Sequence, residues 1–131
     1  MSSTRDDVKA RIEAIEAGYE YFLAYAAQGL TTDQGSKSGG QLRGFLAEFE
    51  TALDGLTGSI EALVKETDAQ PAAAWVDFLK VIERDAFSAR AAVQLVAGQE
   101  GVSSQLVDNL NANIHVRALL ANLFIVDELT D

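Results

Sequence analysis

In the N-terminal part of the chain, Val8, Ile12, Ile15, Tyr19, Phe22 and Ala26 recur at alternating steps of four and three. With a period of about 3.6 residues, an α-helix places all of them along one face. Thr4 and Asp7 have the spacing of a capping box, and Gly29 suits the left-handed position that ends a helix, so the first helix is predicted over 4–28. The stretch GLTTDQGSKSGG that follows offers little to pack and reads as an exposed connection, the longest in the chain. Ser38 and Gln41 repeat the capping-box spacing, and Leu42, Phe45, Phe49, Leu53, Leu56, Ile60 and Leu63 mark the inner face of a second helix over 39–66. Gly44, Gly55 and Gly58 weaken that helix, each by about 1 kcal/mol relative to alanine.

KETDAQPAAAW supplies the next interruption: Thr67 or Asp68 can cap, and Pro71 is tolerated only in a first helical turn. A third helix over 69–97 carries Trp75, Phe78, Ile82, Ala86, Ala89, Val93 and Val96 inward. GQEGVSS closes it, Ser103 or Ser104 caps a fourth, and apolar periodicity then runs from Leu106 to Leu129, giving a helix over 104–129. No strand is predicted. Four rods of about 25 residues, each about 37 Å long with short later connections, stack most simply as an all-α, antiparallel up-down four-helix bundle. The 131 residues, 48% of them hydrophobic, suffice for one domain over 1–131.

Composition then narrows the function. Twenty acidic against ten basic side chains leave a net charge of −10, which repels phosphate backbones and anionic lipid surfaces; neither nucleic acid nor a membrane is expected as partner. The absence of cysteine excludes disulfides, thiolate nucleophiles and cysteine zinc sites, and fits a reducing compartment. The start, MSSTRDDVKARIEA, lacks the apolar stretch of a secretory signal, and ALLANLFIV is far shorter than the roughly 20 residues of a membrane span. A cytoplasmic location is expected.

Candidate chemistry is sparse. His115 is the single histidine, with Ala112 three residues before it, so the Glu-x-x-His pairs of di-iron bundles cannot form. Glu16, Glu20, Glu50 and Asp54 read as a solvated acidic face rather than a carboxylate metal or ligand site. A phosphoacceptor role for His115, as in acidic helical phosphotransfer domains, is the alternative; Arg117 follows two residues on, about 200° around the helix, poorly placed to share a phosphate. The preferred reading puts Asp108, Asn111, His115 and Asn122 in an exposed polar stripe. GSKSGG imitates a phosphate loop but lacks the Gly-Lys-Ser/Thr order and the preceding strand. Ser88, Asp85 and His115 make a triad on paper only, without a turn that presents a nucleophile. No cofactor and no metal are expected, and enzyme activity has no positive support.

More apolar surface is present than one bundle needs. VRALLANLFIV is apolar nearly all round, and YEYFLAYAA carries Tyr21 and Tyr25 beyond the face set by Tyr19, Phe22 and Ala26. Taking Leu110, Ile114, Ala121 and Phe124 as inward-facing leaves Leu119, Leu123 and Val126 for a partner. The expected function is that of a non-enzymatic oligomerisation or protein-partner-binding module, with a homodimer or another protein meeting Leu119, Leu123, Val126, Tyr21 and Tyr25.

Overall fold

The computed structural model describes residues 3–131. They form six helices: α1 (Thr4–Ala27), α2 (Lys37–Leu53), α3 (Leu56–Glu66), α4 (Ala72–Ala97), α5 (Ser104–Ala112) and α6 (Ile114–Thr130). No strand occurs among the described residues. The simple four-helix bundle expected from the periodicity is therefore overturned. Only α1 and α4 are continuous rods; the predicted second and fourth helices are each broken in two, and the pieces pack as separate elements. α1 meets α2, α3, α5 and α6, and α4 meets the same four.

The first break falls at Asp54 and Gly55. Asp54 turns extended at φ −69°, ψ 114°, and Gly55 takes the left-handed conformation at φ 80°, ψ 6°, which an L-residue with a Cβ resists. Ending α2 there releases backbone carbonyls that need donors. Arg11 of α1 supplies them, donating from Nη1 to the Ala52 carbonyl at 3.1 Å and to that of Asp54, while its Nε is held by Asp7 at 3.1 Å. The second break is Asn113, which ends α5 at ψ 124° and starts α6 by accepting the amides of His115 at 2.9 Å and Val116 at 3.4 Å.

The caps differ in detail from expectation. Ser3 with Asp6 forms the box at the start of α1, one residue ahead of Thr4 and Asp7. Ser36, rather than Ser38, caps α2 through the Gly39 amide. Pro71 itself is the N-cap of α4, without help from Thr67 or Asp68. Ser103 caps α5, and Gly29 is left-handed after α1, both as anticipated.

Buried side chains from all six helices make one contiguous apolar cluster. On α1 the buried face is Val8, Ile12, Ile15, Phe22 and Tyr25, and Gly18 lies so close to the Phe49 ring that a Cβ would meet its Cδ2 at 2.7 Å. That glycine lets α1 and α2 approach, and Phe22 packs on Phe49 with ring centroids 5.6 Å apart.

The 28–36 connection is not the loose exposed loop that its composition suggests. Ser104 Oγ accepts the Leu30 amide at 2.9 Å and donates to the Tyr25 carbonyl at 2.6 Å, while the Ser104 amide donates to the Leu30 carbonyl at 2.8 Å. Asp33, only 7% exposed, accepts the Val102 amide at 2.7 Å and Arg43 Nε at 2.8 Å. Arg43 also donates to the carbonyls of Ala97, Gln99 and Glu100. One guanidinium and one carboxylate thus tie the loop after α1 to the loop between α4 and α5.

Candidate functional site

His115 stands at the start of α6, its side chain 50% exposed, with Nδ1 3.0 Å from Asp85 Oδ1 on α4. Two members of the paper triad are therefore neighbours, but Ser88 makes no hydrogen bond to the ring among the described residues. The three side chains are therefore not linked by hydrogen bonds as a triad. The imagined polar stripe is interrupted: Asp108 and His115 are exposed and Asn122 is half-buried, but Asn111 is buried and donates Nδ2 to the Tyr19 carbonyl at 3.3 Å.

No group of three or more His, Cys, Asp or Glu side chains able to hold a metal ion occurs among the described residues. Glu50 instead accepts Gln94 Nε2 at 2.7 Å. The GSKSGG segment spends its amides internally: Gly39 donates to Ser36 Oγ at 2.9 Å and Gly40 to the Ser36 carbonyl at 3.2 Å, as in an ordinary helix start. Among the described residues no helix is long and apolar enough to cross a membrane.

The structure reverses the faces assigned to the last helix. Leu119, Leu123 and Val126 are fully buried in the chain's own core, together with Val116. They are not left over for a partner. Ile114 and Phe124, expected inside, are exposed, and so is Ala121. The cause is Asn113. In one continuous helix, the face bearing Leu110 would carry Ile114, Ala121 and Ile125 inward; restarting the helix at Asn113 turns Val116, Leu119, Leu123 and Val126 to the core instead. Tyr25 is also wholly buried, its hydroxyl donating to the Val102 carbonyl at 2.7 Å. Tyr21 stacks on Phe45 at a centroid distance of 4.3 Å and donates to the Ser38 carbonyl at 2.6 Å. Both tyrosines hold the fold together.

What remains outside is a ridge. Ile114, Ala118, Ala121, Ile125 and Leu129 follow one another on α6 at steps of four, three, four and four, with Ile114 73% and Leu129 66% exposed. Beside its C-terminal end, Ile125 and Leu129 join Pro71, Ala74, Trp75 and Phe78 of the α4 start in an apolar groove of about 310 Å³. Trp75 and Phe78, both in its lining, meet edge to face at 6.3 Å. Trp75 also lines a second cleft of about 510 Å³ between α3 and α4, where Lys65, Lys80, Glu61 and Glu83 mix charge with apolar lining. The one signal for the ridge in the sequence was Asn113, a good N-cap residue lying inside an unbroken apolar pattern. No protein-family model matches the chain, and neither does any curated protein or solved structure.

Proposed function

We propose that this small all-helical chain is a non-enzymatic, protein-binding module that receives an apolar segment on the α6 ridge and in the adjoining α4–α6 groove. The observation that carries the reading is the ridge itself. Large apolar side chains exposed singly are ordinary on a protein surface, but here Ile114, Ile125 and Leu129 share one stripe of α6, joined by Ala118 and Ala121, and the stripe ends at a groove lined by Trp75 and Phe78. Such an arrangement suits an amphipathic helix or strand of a protein partner, received beside Phe78, Ile125 and Leu129. The acidic exterior, net charge −10, disfavours nucleic acid and anionic lipid as partners. The cysteine-free composition fits the cytoplasm, which we propose as its location.

Affinity capture from the native cell with the wild type and with an Ile125→Glu/Leu129→Glu double variant tests the reading. Both positions are exposed, so circular dichroism should show an unchanged helix content. Proteins held by the wild type and lost with the variant are expected. Identical captured sets with both baits would show that the ridge is ordinary surface and end this reading.

A further inference from the structure

The geometry points to a second copy of this chain as an occupant of the ridge, with two α6 helices packed antiparallel about a twofold axis midway between Ala121 and Asn122. This inference rests on the ridge being a binding surface and adds the identity of what binds. The residue numbers carry the argument. Positions opposite one another in such a pair sum to a constant, and about this midpoint Ile114 of one copy faces Leu129 of the other while Ala118 faces Ile125. The centre is occupied by Ala121, exposed, flanked by Ala118, half-buried, and side chains this small allow the axes to approach. The exposed Ile114 projects toward the end of the partner helix where Leu129 borders the Trp75–Phe78 groove. The protruding residue and the groove lie at opposite ends of the same helix, so one twofold operation joins them twice.

Charge complements the apolar match. Arg117 and Glu128 project from the same flank of the ridge, the flank away from the α4 groove, and neither is paired with an opposite charge among the described residues. They are eleven positions apart on α6, about 16 Å along the axis, too far to meet within a chain. A twofold axis lying in the interface keeps each flank on its own side. It brings Arg117 of one copy to within about 3 Å, along the axis, of the level of Glu128 of the other. The other two acidic residues at this end, Asp127 and Asp131, both lie beside Lys9 of α1, at 3.9 and 2.7 Å. The ridge residues themselves, Ile114, Ala118, Ala121, Ile125 and Leu129, carry no charge on a strongly acidic molecule, so joining two copies there sets no like-charged ridge side chains against each other.

Charge reversal with rescue tests the arrangement, using the full chain and sedimentation velocity from low to high micromolar concentration. The wild type should dimerise. Arg117→Glu and Glu128→Arg should each weaken the dimer by about tenfold or more, because each change sets two like-charged contacts across the twofold. The combined Arg117→Glu/Glu128→Arg variant should return most of the lost affinity, which no contact within one chain can do at this separation. Circular dichroism keeps folding in view, and Ala121→Trp, which forces the axes apart at the exposed centre, should abolish dimerisation with the fold intact. A wild type that stays monomeric, or a double reversal that fails to restore the dimer, overturns the inference. A monomer that still captures a ridge-dependent protein would leave the binding surface standing with a different occupant.

Discussion

At Asp33 a carboxylate is drawn out of water and answered by three donors: the Arg43 guanidinium at Nε and Nη2, and the Val102 amide. The Arg43 hydrogen bond holds its pKa below the ordinary carboxylate value; burial opposes this, and the Val102 amide adds to it. Since the folded value lies below the unfolded one, the group's contribution is complete above about pH 4 and is lost as pH falls through the folded value. Asp33→Asn should therefore lower stability by about 1–3 kcal/mol at neutral pH and flatten the loss of stability below pH about 4. Urea unfolding of both proteins at a series of pH values measures it, and parallel acid limbs would refute the assignment. Two glycines in α2 should respond with opposite signs. A Cβ at Gly39 would overlap the Asp33 carbonyl, so Gly39→Ala should destabilise by about 2–3 kcal/mol. A Cβ at Gly44 meets nothing, and Gly44→Ala should stabilise by about 0.5–1 kcal/mol. Thermal melts decide both.

At the scale of the element, helix breaks decide which faces are core. Gly55→Ala forces a Cβ into the left-handed region and should cost about 1–2 kcal/mol; Asn113→Ala removes the acceptor for two α6 amides and should cost about 1 kcal/mol. Chemical denaturation of each variant checks them, and a neutral Asn113→Ala would mean that packing alone sets the start of α6. These breaks also explain what the sequence could reveal. The core faces of α1 and α4 were legible for the most part, because each is one uninterrupted rod, but Gly18 and Tyr25 are buried where Tyr19 and Ala26 were expected, and Leu79 where Phe78 was. Of the second rod, the apolar positions were mostly legible, with Leu46 buried in place of Phe45, but not the turn at Gly55. An isolated glycine is compatible with a weakened helix, and the donor that makes the break tolerable, Arg11, comes from another part of the chain. At Asn113 the apolar pattern runs on across the junction in either phase, so periodicity could not tell the buried face of α6 from the ridge. The candidate surface was legible as an excess of apolar residues on the last helix, and its membership was not. The buried loop escaped notice because Asp33 and its donors are separated by up to 69 positions, which no local pattern records.

For the whole molecule, twenty carboxylates and ten basic groups on a 14.0 kDa chain mean that the folded state holds a net −10 in a small volume. Compaction brings those charges closer than in the unfolded chain, and salt relieves the repulsion over distances of about 10 Å at 0.1 M. The melting temperature at neutral pH should rise as sodium chloride is added from low ionic strength, measured by calorimetry at a concentration low enough to exclude association. A falling melting temperature would show that the few ion pairs, such as Lys9 with Asp131 at 2.7 Å, outweigh the general repulsion.

The clamp on the first loop also constrains how the chain can be made. Asp33 and Arg43 emerge early from the ribosome, but the Val102 amide and the carbonyls of Ala97, Gln99 and Glu100 that complete their surroundings are synthesised much later. At about 5–20 residues per second, the 69 positions between Asp33 and Val102 represent roughly 3–14 s of translation. Once α2 has been made, α1 and α2 can pair through Gly18 and Phe49 for the rest of that interval, while the segment joining them stays open, a nascent hairpin waiting for the far end of its own message.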